Sequence, residues 1–112
     1  MNILDTFLSK DRANRAHLMG EYVFIKAGPP IVCKDGYSVS VQCSSTAYSL
    51  PRETFKDTAK YTSFELGFPD QSDELLDEYA EDSVHLLHTV YPYVPREVVD
   101  ALIEKHGGLV CT

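Results

Sequence analysis

The chain has no tryptophan and only three cysteines among its 112 residues. Cys33, Cys43 and Cys111 are odd in number and fit no C-x-x-C spacing, which argues against a disulfide framework and against a cysteine zinc site. Cys33 and Cys43 read as buried free thiols, and Cys111 as an exposed one. No run approaches the ~20 apolar residues that a membrane-spanning helix needs. The opening MNILDTFLSKDR carries neither a basic leader nor a long apolar stretch, so no secretory signal is expected and the chain reads as cytoplasmic. Glycine-rich phosphate loops and G-x-S-x-G elbows are missing, and PDQSDELLDEYAE (69–81) lacks the aspartate order and central glycine of an EF-hand. The most consequential absence is of positive charge, because no Lys or Arg occurs from Tyr61 to Pro95.

What fills that stretch is negative. Asp70, Asp73, Glu74, Asp77, Glu78, Glu81 and Asp82 place seven carboxylates in thirteen residues, on a chain whose formal charge is −7. Such a surface repels phosphate backbones and anionic membranes and attracts basic surfaces or cations. On a helix, Asp73, Asp77 and Glu81 would stack at i, i+4, as would Glu74 and Glu78, and each like-charge pair costs a few tenths of a kcal/mol. The cluster therefore reads either as a solvated face that keeps the protein soluble or as a docking surface for a basic partner.

The length suits one domain spanning residues 1–112, and seven tyrosines with five phenylalanines supply enough large apolar area for a core. A short helix is expected over 2–9, with Asn2 as cap and Ile3, Leu4, Phe7 and Leu8 as its stripe. A second helical stretch is expected from Asp11 to Met19, stopped by Gly20. EYVFIK (21–26) reads as a strand ended by AGPP. Ile31–Cys33 and Tyr37–Cys43 flank a Lys34-Asp35-Gly36 turn as a hairpin, with Tyr37, Val39, Val41 and Cys43 on one face. Residues 44–60 form a long polar loop, and 61–66 a strand broken by Gly67-Phe68-Pro69. Ser72 would cap an acidic helix over 73–80. Residues 83–91 are ambiguous, with strand favoured toward the end. Pro95 then opens a helix with Val98, Val99, Leu102 and Ile103 as its stripe, and Gly107 stops it so that Leu109 folds back. The expected fold is α+β, an antiparallel sheet of about four strands carrying an N-terminal helix, a short acidic helix and a C-terminal helix.

Three further groupings bear on chemistry. His85 and His88 could share a metal with Glu81 if the segment were helical, although their apolar neighbours favour structural histidines. Tyr37, Tyr48 and Arg52 could form an aromatic and basic contact surface. Serines, Cys43 and four histidines exist, yet no local signature selects a nucleophile, so neither an enzyme nor a cofactor is expected.

DGYSVSVQ (35–42), AYSLPRE (47–53), ELGFP (65–69) and VYPYVPREVVDALIEKHGG (90–108) together resemble small uncharacterised proteins encoded by tailed bacteriophages and prophages. The similarity covers roughly residues 30–110, and its motifs are structural, so it carries over no site residue. It implies an acidic counter-defence factor, such as an anti-CRISPR, working in the host cytoplasm. The implied partner is a basic host protein or ribonucleoprotein complex, docked by the seven carboxylates between Asp70 and Asp82. Direct nucleic-acid binding and membrane association are not expected, and a homodimer is compatible with this reading. The alternative is a small structural or accessory phage protein that self-assembles.

Overall fold

The alternation of Tyr37, Val39, Val41 and Cys43 with Ser38, Ser40 and Gln42 builds the strand around which the chain is organised. The computed structural model describes residues 30–55 and 58–110, together with Leu4, Asp5, Leu8, Ala16–Met19 and Tyr22–Ile25. Strands β1 (Ala16–Met19) and β2 (Tyr22–Ile25) pair as an antiparallel hairpin. Strands β3 (Ile31–Val32), β4 (Ser38–Gln42), β5 (Ser63–Gly67) and β6 (Val90–Pro95) form a second, four-stranded sheet in sequence order, each antiparallel to its neighbour. Helix α1 (Arg96–Lys105) follows β6 directly. The α+β class is as the sequence suggests.

The β3–β4 hairpin forms where expected. Gly36 adopts φ 96°, a region that costs a residue with a Cβ but not glycine. The Asp35 carboxylate accepts the Tyr37 N–H at 2.9 Å and so closes the turn with its own side chain. The inward residues Tyr37, Val39 and Val41 meet Phe64 and Leu66 of β5, Tyr91 and Val94 of β6, and Val99, Leu102 and Ile103 of α1 in one core. Leu4, Leu8 and Leu76 complete it. Fully burying a side chain such as Leu102 stabilises the fold by about 1.5–3 kcal/mol. Both sheet edges are protected. The chain end lies along β3, where Val110 N–H donates to Val32 O and Lys34 N–H to Gly108 O, both at 2.8 Å. Edge strand β6 carries Pro92 and Pro95, which have no N–H to offer an incoming strand.

Two expectations are overturned. Ala16–Met19 is a strand, so the helix expected over 11–19 does not reach its end; pairing with Tyr22–Ile25 outweighs a weak helical periodicity. The acidic helix over 73–80 does not form. Residues 74–76 make a turn and Asp77–Tyr79 a single 3-10 turn, because Asp73 is drawn inward to Lys105 and His106 while the stacked carboxylates resist a longer helix. Residues 83–89 are mostly turns and bends, and strand begins at Val90, as favoured for the end of the ambiguous 83–91 stretch. Of the helix expected over 2–9, Leu4, Asp5 and Leu8 carry helical backbone and are buried; the other positions lie outside the described residues, so α1 is the one full helix among the described residues. Residues 11–15 and Cys111 also lie outside them.

The strand expected over 61–66 runs Ser63–Gly67, and the chain turns within the expected Gly67-Phe68-Pro69 break, at Phe68 with φ 51°. The 44–60 loop is tied down rather than loose. The Tyr61 hydroxyl donates to Glu53 O and accepts the Phe55 N–H, and Leu50 bridges to Ser63.

The N-terminal end of α1 is held by Arg96. Its Nε donates to Tyr61 O at 2.9 Å, one terminal nitrogen to Asp5 Oδ2 at 2.8 Å and the other to Thr58 O at 2.7 Å. The guanidinium also lies 5.0 Å from the Phe64 ring centroid. Asp5 is buried and accepts the Thr58 hydroxyl with its other oxygen. Removing one member of such a buried pair strands the other, which costs about 3–5 kcal/mol. Arg96→Met should therefore lower the urea-unfolding free energy by an amount of that order. Arg96→Lys should recover only part of it, because an ammonium cannot reproduce the planar three-way fork.

Candidate functional site

The chain between β5 and β6 is the long acidic excursion, and it is anchored rather than free. Asp70 N–H donates to Ser38 O, and Asp70 Oδ1 accepts the Ser38 N–H, both at 3.0 Å, so the excursion is stitched to β4 as it leaves the sheet. Leu76 is fully buried and draws the middle of the segment onto the core. Glu81 N–H donates to Val90 O, and Asp82 N–H to the Thr89 hydroxyl, which secure its return.

These ties sort the seven carboxylates. Asp70, Glu74, Asp77, Glu78, Glu81 and Asp82 are exposed. Asp73 is buried, 7 % exposed, and is not available to a partner. Its Oδ1 accepts from Lys105 Nζ at 3.1 Å and from the Leu75 N–H at 2.9 Å, and its Oδ2 faces His106 Nε2 at 2.8 Å. Asp73 therefore belongs to the structure and drops out of the expected docking set.

Beyond Asp82 the excursion exposes apolar groups as well. Val84 is 81 % and Leu87 41 % exposed. Between them His85 Nδ1 lies 2.7 Å from Asp82 Oδ2, and that hydrogen bond holds the Asp82 carboxyl below the usual carboxylate range. His88 donates its backbone N–H to His85 O in a turn, not a helix, so the spacing needed to share a metal with Glu81 is absent. Among the described residues no three of His, Cys, Asp and Glu come together as a metal-binding group.

His106 is the residue that sequence reasoning missed. Its Nδ1 lies 2.6 Å from Asp35 Oδ2 in the β3–β4 turn, and its Nε2 faces Asp73. The ring stacks on Tyr37 with centroids 4.0 Å apart and planes 9° from parallel. A neutral imidazole has one N–H and could serve only one carboxylate, whereas the imidazolium serves both. Burial pushes the ring toward its neutral form, but the hydrogen bonds to Asp35 and Asp73 outweigh that and raise its pKa above the ordinary histidine value. Burial likewise pushes Asp73 up, and the Leu75 N–H, His106 and Lys105 overcome it and lower its pKa. For Asp35 the Tyr37 N–H lowers the pKa first, with His106 adding to it. The cation also sits at the C-terminal end of α1, where the helix dipole favours it.

Tyr37 is fully buried in this stack and takes no part in a contact surface, contrary to expectation. Its hydroxyl has no hydrogen-bond partner among the described residues, and burial pushes its pKa up. Tyr48 and Arg52 do come together, joined by Tyr93. Arg52 Nη1 donates to the Tyr93 hydroxyl at 3.1 Å and lies over the Tyr48 ring, with its carbon 5.6 Å from the centroid. Tyr93 occupies an irregularity where Phe64 pairs with Val94 but Leu66 with Tyr91, and its φ of 54° is a region that costs an ordinary residue about 1–2 kcal/mol. Tyr93 N–H donates to Tyr48 O, and Tyr48 N–H to Glu65 Oε1, so the loop crosses the outer side of β5.

The Asp35–His106–Asp73 cluster sets a pH window. The raised pKa of His106 means that its contribution to stability is complete below the ordinary histidine value and is lost as pH rises through the raised one. The lowered pKa values of Asp35 and Asp73 mean that theirs is complete above the ordinary carboxylate value and is lost as pH falls through the lowered ones. The cluster is thus strongest between about pH 4 and about pH 6.5. Replacing His106 by Gln should lower the urea midpoint within that window and flatten its decline on the alkaline side. An undiminished alkaline decline in the variant would assign it to other groups.

Comparison with protein-family models, with curated proteins and with solved structures finds no match to this chain.

Proposed function

We propose that the chain is a binding protein that docks through its acidic excursion on a basic surface of a host protein or ribonucleoprotein complex. The setting proposed is the cytoplasm of an infected bacterium, where a phage-encoded protein of this kind would inhibit a defence or nucleic-acid-handling complex, as anti-CRISPR proteins do. The observation that carries the reading is the exposure of Asp70, Glu74, Asp77, Glu78, Glu81 and Asp82 on one anchored segment that also exposes Val84 and Leu87. Carboxylates supply long-range steering and register, and apolar groups beside them supply the area that charge alone does not. The backbone ties at Ser38, Val90 and Thr89 support it further, since a docking segment already ordered has less entropy to lose on binding. With a net charge of −7, nucleic acid itself is an unfavourable partner.

A second reading, self-assembly as a small phage structural or accessory protein, is favoured by the exposed Tyr48, Leu50 and Tyr93. It would put those residues between copies and leave the carboxylates facing solvent.

Tagged protein mixed with bacterial lysate, at low and at high salt, separates the two. Docking through the carboxylates should capture one basic complex and lose it as salt rises, because exposed charges are screened within about 8 Å at 0.15 M. The variant D77S/E78S/E81S should bind at least tenfold more weakly, with stability unchanged to within about 0.5 kcal/mol because these side chains are exposed. Equal binding by that variant would overturn the docking proposal. Recovery of the chain alone, with light scattering at an oligomeric mass, would favour assembly.

A further inference from the structure

The outer side of the sheet carries an open groove of about 420 Å³ that shares only Phe68, and none of the carboxylates, with the acidic excursion. That volume lies within the range of about 300–1,000 Å³ usual for small-ligand sites. Its lining is uncommon for a solvated sheet face. Ser40 and Gln42 project from β4, Thr46 closes one end, and Glu65 stands on β5 beside them. Gly67 forms part of the floor and Phe68 the rim.

Two of these residues are not what the fold alone would ask for. Phe68 is 59 % exposed and sits at φ 51°, so the chain bears backbone strain there to place an aromatic ring in solvent. Glycine or asparagine would hold the turn with less strain, and the ring gives little to the core. Gly67 is the converse. Its φ is not in the left-handed region, and a Cβ added there would meet Val90 Cγ1 at an ordinary 3.6 Å. Packing would accept a side chain, yet the position is bare, and its buried backbone lies at the base of the groove beside Val90. A glycine inside a strand is one mark of a place where another molecule approaches the backbone.

The polar groups have capacity left over. Gln42 Nε2 donates to Ser40 Oγ at 3.0 Å, and the Gln42 carbonyl oxygen has no hydrogen bond among the described residues. Glu65 Oε1 accepts the Tyr48 N–H at 3.2 Å, while Oε2 is likewise unbonded among the described residues. The groove has one charged lining side chain, the Glu65 carboxylate, so it disfavours an anion. It offers one apolar ring face and a row of neutral hydroxyl and amide groups with a single carboxylate. A pyranose sugar matches that chemistry, with an apolar C–H face for the ring and a rim of hydroxyls for the polar row. A nucleotide does not match it, because its phosphates would meet a chain of charge −7.

We propose that the groove bounded by Ser40, Gln42, Thr46, Glu65, Gly67 and Phe68 binds a neutral saccharide, one pyranose ring lying on Phe68 and over Gly67, with its hydroxyls bonded to Gln42 and Glu65.

The test is saturation-transfer NMR on the whole chain with the trisaccharides of glucose, mannose, galactose and N-acetylglucosamine, and with trialanine as peptide control. The expected result is transfer to at least one sugar, strongest at ring C–H protons, and none to trialanine. Phe68→Gly should weaken that sugar's binding at least tenfold while the thermal midpoint holds or rises, because the variant relieves strain as it removes the ring. Gly67→Ala should weaken binding with the fold intact. A merely structural Phe68 would show a change in midpoint and none in binding. No transfer from the folded protein to any of the sugars would overturn the proposal. So would equal transfer to trialanine, or sugar binding unchanged in both variants.

Discussion

Everything in this fold leans on how the ends of α1 are fastened. At its start, the Arg96 guanidinium joins Asp5 to the carbonyls of Thr58 and Tyr61, two segments that are far apart in sequence from each other and from the helix. At its end, His106 lies between Asp35 and Asp73 and stacks on Tyr37. Between those two cations the helix has only Val99, Leu102 and Ile103 fully committed to the core. A ten-residue helix is marginal by itself, so its position depends on tertiary ties. A buried ion pair is expensive to desolvate, and its worth here is that it admits one geometry and few alternatives.

That fastening decides what the surface can offer. By taking Asp73 out of the acidic cluster, His106 and Lys105 pull the excursion onto the body of the protein. The remaining six carboxylates then stay exposed on a segment whose course is set at both ends. The stacked repulsion that a helix over 73–80 would have imposed is relieved by the turn at 74–76 and the short 3-10 turn after it. Charge that would have opposed folding is turned outward, where a partner could use it.

The outer sheet face follows a different logic. There the backbone is strained at Phe68 and Tyr93, both exposed aromatics at positive φ, and a loop crosses β5 to bring Tyr48, Arg52 and Tyr93 together. Neither strain is needed for the core. The protein thus presents two unlike surfaces, one dominated by charge on an anchored excursion and one by exposed aromatic rings, of which Phe68 lines an open groove.

Much of this was legible in the residues themselves. Strict alternation from Tyr37 to Cys43, the Asp35-Gly36 turn and the stripe ending at Gly107 depend on neighbours within a few positions, and all three stand as expected. So does the α+β class, since it follows from the order of those elements. The hairpin of Ala16–Met19 with Tyr22–Ile25 was harder to see, because a short apolar run satisfies either period and only pairing chooses between them. The exposed carboxylates could be counted from the chain, but which one would be buried could not. Asp73 meets His106 across 33 residues and Asp35 meets it across 71, and nothing local in any of the three announces the others. Composition and short-range pattern determined the elements and the sign of the surface. Tertiary structure alone decided which charges are spent inside, which face solvent, and where a groove is left open, because those outcomes depend on contacts between residues that the chain holds far apart.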